Sequence, residues 1–456
     1  DGELHGAALR SVRHRGTSPH GLLFGAALAV CVAVAALPGC TGLGGGGARG
    51  RSPADREAAG EEVTDDGAWC WFADPRAVSF SGEHDRTYTG WVDASGYVWV
   101  ASIDNETGEI VSSIVKGFGS ADDHANPSIL VRPTGHLTLF YSDHGGAEIF
   151  VQSSMRAEDV TSWNFPTSLK PSAGMSGYGY TYPCPVSLSE EGGATYLFYR
   201  NTRRRPAFIR SLPGGGWSGE HVLFGGNVGD AYVKYDSDGV SDIRMAFTDG
   251  HPRGRPVNNV YYARYSGGTF FRADGSVICG AEDLPMEPGS ADLVFDSAAA
   301  DARAWVWDIA ADSEGRPVIV YAVFPREADH RYHYARWDGA AWSDHELVSA
   351  GGWFPRTPLG EEEKEVYYSA GITLDHDDPS VLYLSRRVGR SFEIERWQTA
   401  DGGVTWDSSP VTENSLTDNV RPFVPSGSRR GGVRLLWMSG TYVSYTDFST
   451  AIRMLR

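Results

Sequence analysis

Cysteine is scarce, with five in 456 residues. Cys70, Cys184 and Cys279 are far apart and no Cys-x-x-Cys pair occurs. That spacing excludes a zinc-ribbon type of site and a dithiol redox motif, and leaves a single disulfide among the three open. An excess of positive charge is also missing. The formal net charge is -18, which argues against nucleic acid or an anionic membrane as a partner of the whole surface. From Ala68 onward no helical periodicity of any length appears, so a fold built on amphipathic helices is excluded. Long apolar runs are absent too, with one exception near the beginning.

That exception is "GLLFGAALAVCVAVAALPGC", preceded by the basic "LRSVRHRG". A basic stretch followed by an apolar run of small residues reads as a secretory signal. It ends in Leu-Pro-Gly-Cys, which resembles a bacterial lipobox. Residues 1–40 are therefore expected to be a lipoprotein-type signal with Cys40 as the lipidated residue. The protein is then exported, and its only membrane attachment is that lipid. The competing reading is a single transmembrane anchor. Residues 41–66 carry glycine and charge without periodicity and read as a flexible linker. Residues 67–456 read as one domain.

What that domain does contain is a repeated hairpin, rich in turn residues and aromatics. "YVWVASID", "HLTLFYSDH", "ATYLFYRN", "DIRMAFTDG", "RPVIVYAVF", "SVLYLSRR" and "VRLLWMSG" are read as seven second strands, each followed by one or two more. A spacing of about fifty-five residues is on the scale of propeller blades. The predicted fold is all-β: a seven-bladed β-propeller of four-stranded antiparallel blades, expected to be a monomer. "TADGGVTW", Thr399–Trp406, fits the Asp-box turn pattern found in propellers, where its Asp and Gly serve turn geometry.

Residues facing each other in an antiparallel hairpin share a midpoint. His124 and His144 share 134, inside the turn Pro133-Thr134-Gly135, and are expected about 5 Å apart at the open end. Tyr182 and Arg200 share 191, Asp230 and Asp249 share 239.5, and Tyr368 and Arg386 share 377. In a ring of blades these ends meet on one face. His124, His144, Tyr182, Arg200 and the nearby His251 are expected to converge there, as the parts of an acid–base site that handles a carboxylate. "YRNTRRRPAFIR" adds Arg203, Arg204 and Arg205, a basic cluster in an acidic protein and a place for an anionic ligand. Asp122, Asp123 and Asp143 stand beside the two histidines, so metal ligation there is open, although no spacing has the specificity of a zinc motif.

Together, "GAWCWFADPRAV", "DDHANPSI", "YTYPCPVSL", "LFYR", "DAYVKYDSDG", "TDGHP", "NNVYYARY" and "YYSAGITLDHDDPSVLYLSR" resemble the BNR-4 repeat group over about residues 68–456. That group includes the seven-bladed ulvan lyases of polysaccharide lyase families 24 and 25. The resemblance implies cleavage of a uronate-containing, rhamnose–glucuronate polysaccharide by β-elimination. It places His124, His144, Tyr182 and Arg200 as the catalytic set. Tyr178, Tyr180 and Tyr182 alternate in "GYGYTYP", so the tyrosine match is the loosest of the four. His251, Arg204, Tyr180, Tyr232 and Arg76 are expected substrate contacts.

β-Elimination takes the C5 proton of a uronate and expels the C4 oxygen. The carboxylate must first be neutralised, a role that suits Arg200 with help from the histidines. Tyr182 is the candidate base and acid if neighbouring cations lower its pKa; otherwise a histidine is the better base. No redox cofactor is required, and a structural Ca²⁺ is compatible with the many Asp residues. A sialidase-like glycoside hydrolase is the alternative enzyme reading, with Arg76 as its carboxylate-binding arginine. A non-catalytic carbohydrate-binding lipoprotein is the alternative outside enzymes.

Overall fold

The computed structural model describes residues 60–456 except 118, 173–176, 227–229, 327, 353, 355–366 and 429–430. The signal segment, Cys40 and most of the linker lie outside the described residues.

Seven antiparallel sheets follow one another along the chain. Blade one spans Ala77–Lys116, blade two Ser128–Leu169, blade three Thr181–Val222 and blade four Val233–Phe295. Blades five and six span Arg303–Gly351 and Ile372–Pro410. Blade seven takes Asp418–Phe423, Leu435–Ser444 and Asp447–Leu455 and is completed by Glu61–Thr64, which lies antiparallel to its third strand with Glu61 opposite Met454. The linker boundary expected at 66 therefore moves back to include this strand. Blade four is larger than expected: an extra hairpin, Thr269–Phe271 with Val277–Gly280, and the strand Asp292–Phe295 bring it to six strands.

The packing explains why apolar residues appear in runs rather than in alternation. Successive side chains of a strand point to opposite faces, and each face of a blade packs on a neighbouring blade. Leu139 and Tyr141 enter the cluster shared with Tyr88 and Val100 of blade one. Phe140, between them, packs with Leu197 and Tyr199 of blade three. Middle strands such as Leu137–Tyr141 and Ala194–Arg200 are thus buried throughout, while the outer strand Asp407–Pro410 is exposed throughout. The ring closes where Leu436 and Met438 of blade seven meet Trp91 and Ile103 of blade one.

One strand assignment needs correction. "YVWVASID" is the third strand of its blade, not the second; Asp85–Val92 is the second. The tight turn Ser81–Asp85 hid the first hairpin of blade one. The Asp-box turn joins Ser391–Gln398 to Asp407–Pro410 and serves geometry, as expected. Asp401 accepts from the Thr399 and Thr405 hydroxyls at 2.8 and 2.6 Å.

Ala68–Arg76 has no regular structure and runs across the ring axis. Its partners come from several blades. Cys70 N–H donates to Asp123 O and the Asn126 side chain, just ahead of blade two. Lys234 of blade four donates to Trp71 O. Trp71 Nε1–H donates to Val306 O of blade five, and Trp69 Nε1–H to Arg421 O of blade seven, both at 3.4 Å. This plug divides the channel. A cavity of about 600 Å³ lies on the side of the inner-hairpin turns, near Pro133, Gly239 and Gly427, and none of the expected site residues lines it.

Candidate active site

The residues expected at the open hairpin ends meet on the other side of the plug. In blade two the register is the one the midpoint predicts, with Ser128 opposite Phe140 and Val131 opposite Leu137. The turn is tight: Gly135 takes φ 80°, which favours glycine, and its N–H reaches Arg132 O at 2.8 Å. Beyond the open end, His124 sits in the short 3₁₀ turn Asp123–Ala125, capped by Asp122. The His124 and His144 rings are stacked, 3.9 Å between centroids.

The Asp122 carboxylate joins the pair. Its Oδ1 meets His124 N–H at 3.0 Å and His124 Nδ1 at 2.8 Å, and its Oδ2 meets His144 Nδ1 at 3.1 Å. His124 Nδ1 also lies 2.9 Å from Asp123 Oδ1. Asp123 in turn is fully buried and bound by Arg421, with Tyr442 donating to its Oδ2 at 2.7 Å. Burial opposes charge on His124, but the Cys70 sulfur and then the two carboxylates outweigh it and hold the imidazole well above its usual value. Burial and the charge on His124 push His144 down instead. Burial alone would raise Asp122, yet its hydrogen bonds and charge contacts with both histidines hold it well below the usual carboxylate range.

Blade three supplies Tyr182 and Arg200, with a correction to the register. Cys184 opposes Phe198 as the midpoint predicts, but a bulge follows and Thr181, not Tyr182, stands opposite Arg200. Tyr182 occupies the bulge at φ 60°, a costly conformation for a tyrosine and one that clusters at functional sites. The bulge turns its ring under the guanidinium, 4.7 Å from Arg200 Cζ, and 5.5 Å from the His124 ring. Arg200 is buried and donates to Tyr232 Oη and Thr181 Oγ1, each at 3.3 Å. The cations do not lower the Tyr182 phenol. Burial, then Tyr232, raise it well above its usual value despite Arg200. The condition for Tyr182 as base is not met.

Tyr232 and His251 complete the pit. His251 lies 4.5 Å from the Trp305 ring, its Nδ1 accepts from Arg253 N–H at 3.0 Å, and its Nε2 faces Tyr368 Oη at 3.4 Å. Burial, with Arg253, Arg200 and Arg204 nearby, lowers it to about 3. It is a neutral hydrogen-bonding group. Arg204 stands at the rim, paired with Asp230 at 3.1 Å and stacked on Tyr178 at 4.9 Å.

Other expected contacts fall elsewhere. Tyr180 is buried between blades two and three with Phe140, Leu197 and Tyr199, because its backbone pairs with Gly146 and aims the ring into the core. Arg76 is buried, bonded to Asp74 at 2.8 Å and stacked on Phe423 at 4.3 Å. In blade four Val233 opposes Phe247, and Asp249 accepts from Asn259 and Tyr261 instead of facing Asp230. In blade six Ile372 opposes Leu384, two places from the expected register, and Arg386 pairs with Glu395 away from the pit.

Sequence reasoning missed the floor and far wall. Cys70, Trp71 and Phe72 of the plug line the pit with Trp305, Arg421 and Tyr445. The Tyr445 ring stands edge-on to both imidazoles, at 5.1 and 5.3 Å. Cys70, Cys184 and Cys279 are all free thiols. Two groupings bring ligand-type atoms within 4.8 Å: Cys70 with Asp123 and His124, and Asp122 with His124 and His144. In the first, Asp123 already holds the Arg421 cation. In the second, both Nδ1 atoms and both carboxylate oxygens are engaged with one another. Both are read as hydrogen-bond networks rather than ligand sets.

Among solved structures, the fold is similar to a family 25 polysaccharide lyase, an ulvan lyase bound to -[GlcA(1-4)Rha3S]-, with a TM-score of 0.63 and 15% identity over 87% of this chain and 94% of that one. It is also similar to the polysaccharide lyase Uly1, with a TM-score of 0.56 and 13% identity over 87% of this chain and 98% of that one. No curated protein matches the sequence. The model of the BNR repeat-containing family matches residues 86–350. Seven blades and that match, which takes in His124, His144, Tyr182 and Arg200, lead to one conclusion: the chain belongs to the BNR repeat-containing family.

Proposed function

We propose that the chain is a polysaccharide lyase that cleaves a uronate-containing polysaccharide of the rhamnose–glucuronate, ulvan-like kind by β-elimination. The observation that carries this reading is one chain of contacts: Arg200 over the Tyr182 ring, Tyr182 beside His124, and His124 stacked on His144. The likeness to ulvan lyases supports the choice of substrate. An exported form anchored at Cys40 suits a substrate too large to enter a cell.

The roles follow from the charges. Arg200 and the His124 imidazolium receive the uronate carboxylate and stabilise the charge that spreads onto it once C5 loses its proton. His144 is neutral and accepts that proton on Nε2. The C5–H electron pair becomes the C4–C5 double bond, and the C4–O bond breaks. Tyr182, which keeps its proton in the resting site, gives it to the departing oxygen, and the adjacent Arg200 and His124 stabilise the phenolate left behind. Return of the proton from His144 to Tyr182 through water resets the site. The reaction is redox-neutral.

The sialidase-like alternative loses its arginine, since Arg76 is buried and committed to Asp74. One assay separates the readings. The protein is incubated with ulvan and with other polyuronates, and ultraviolet absorbance from a C4–C5 double bond is followed. A lyase raises absorbance, a hydrolase yields reducing ends without absorbance, and a binding protein yields neither. Reducing ends without absorbance, or no product on any polyuronate, would overturn the proposal.

A further inference from the structure

We infer that Asp122 is a positioning residue: it holds both imidazoles by their Nδ1 edges, so that both Nε2 edges are left for substrate and His144 is kept in the tautomer that accepts a proton there. The kinetic part of this inference rests on the lyase reading; the tautomer part does not.

The hydrogen-bond inventory leaves little freedom. Asp122 Oδ1 receives two contacts from His124, its backbone N–H and its Nδ1. Among the described residues, Oδ2 receives only His144 Nδ1, at 3.1 Å. A carboxylate accepts and cannot donate, so His144 must carry its proton on Nδ1 and its lone pair on Nε2. Among the described residues neither Nε2 has a hydrogen-bond partner. Among the described residues no other carboxylate holds His144, whereas His124 has Asp123 as a second. The remaining groups around the pair are Cys70 and Tyr182 beside His124, Arg200 facing His144, Asp143 paired with Lys116 next in the chain to His144, and Tyr445 edge-on to both rings. None of these can take over the bond to His144 Nδ1 without moving.

Asp122→Asn isolates this role. Asn caps a turn as well as Asp does, and Oδ1 keeps its two contacts with His124. The amide nitrogen then replaces Oδ2 and donates to His144 Nδ1. That forces the proton to Nε2 and removes the lone pair from the edge that faces the pit. Wrong-tautomer defects of this kind are severe in hydrolytic triads.

The test uses the full chain with ¹⁵N-labelled histidine. Ring ¹⁵N shifts should report His144 as the Nδ1–H tautomer in the wild type and as Nε2–H in Asp122→Asn, at unchanged melting temperature. On a polyuronate the variant should lose at least about 100-fold in kcat with KM within about twofold, and Asp122→Glu should recover part of the loss. An unchanged His144 tautomer in Asp122→Asn, or kcat within about threefold of wild type, would sink the inference. If the variant unfolds, the wild-type tautomer decides: Nε2–H there refutes it and Nδ1–H upholds it. If the wild type makes no unsaturated product, the lyase reading fails and the ring shifts alone decide the role of Asp122.

Discussion

His124 and His144 lie face to face, 3.9 Å between ring centroids and 4° from parallel. Two imidazolium ions at that distance would repel by about 4 kcal/mol at an effective dielectric of 20. One positive charge is therefore the stable content of the pair. It resides on His124, which has two carboxylates against its Nδ1, while His144 shares one. Two identical residues acquire different chemistry from their neighbours.

That asymmetry sets the pH profile. His144 has a lowered pKa, so it becomes a competent acceptor at a pH below the usual histidine value of 6.5. His124 has a raised one, so its positive charge persists well above 6.5. A plot of kcat/KM against pH should rise below 6.5, stay level through neutrality and fall only at alkaline pH. A profile that rises through pH 8 would contradict the assignment of His144, and one that falls below 6.5 would contradict that of His124.

Removing the Tyr182 hydroxyl tests the acid. Tyr182→Phe keeps the ring between Arg200 and His124, so the fold should survive, with a melting temperature close to wild type. Turnover on polyuronate should drop by about 100-fold or more, the usual scale for losing a proton donor. Full activity in the folded variant would remove Tyr182 from the mechanism.

Two of the buried arginines, Arg200 and Arg76, should behave differently. Arg200→Lys loses the planar fork that matches a carboxylate, and kcat/KM should fall by about 10-fold to 100-fold. Arg76→Lys keeps charge beside Asp74 but gives up the stacking on Phe423. It should cost about 1 kcal/mol of stability and leave KM unchanged. Substrate saturation curves and urea melts measure both, and a raised KM for Arg76→Lys would revive Arg76 as a substrate contact.

Arg421 carries a third, structural test. Its guanidinium is fully buried against Asp123, Trp69 O and Tyr442. Arg421→Met leaves the Asp123 carboxylate without its cation in a dry setting, which should lower stability by about 3–5 kcal/mol. A urea midpoint equal to wild type would show that Tyr442 and His124 alone hold that charge.

The ring of blades was legible because middle strands such as Leu137–Tyr141 and Ala194–Arg200 are buried on both faces and repeat an aromatic pattern. The histidine pair was legible because its hairpin has no bulge between Ser128 and Phe140. Where a bulge intervenes, as at Tyr182, counting misplaces the residue by one, and only the fold reveals that the displaced ring lands under Arg200. Tyr180 and Tyr182 look equivalent in an alternating string, yet one packs in the core and the other in the pit. Cys70–Phe72 had no period to read. Asp122 was visible only as a neighbour of His124, since the contact that matters joins it to a residue in the other strand.

The pairing of Glu61 with Met454 has a consequence for how the protein is made. The stretch that leaves the ribosome early must wait, unpaired, for a partner synthesised nearly four hundred residues later. Such distant contacts form slowly. Within ten residues of that waiting strand come Cys70, Trp71 and Phe72, which need blades four, five and seven to hold them in place. Half-finished chains should therefore bind and cleave nothing: activity should switch on in one step, when the circle shuts.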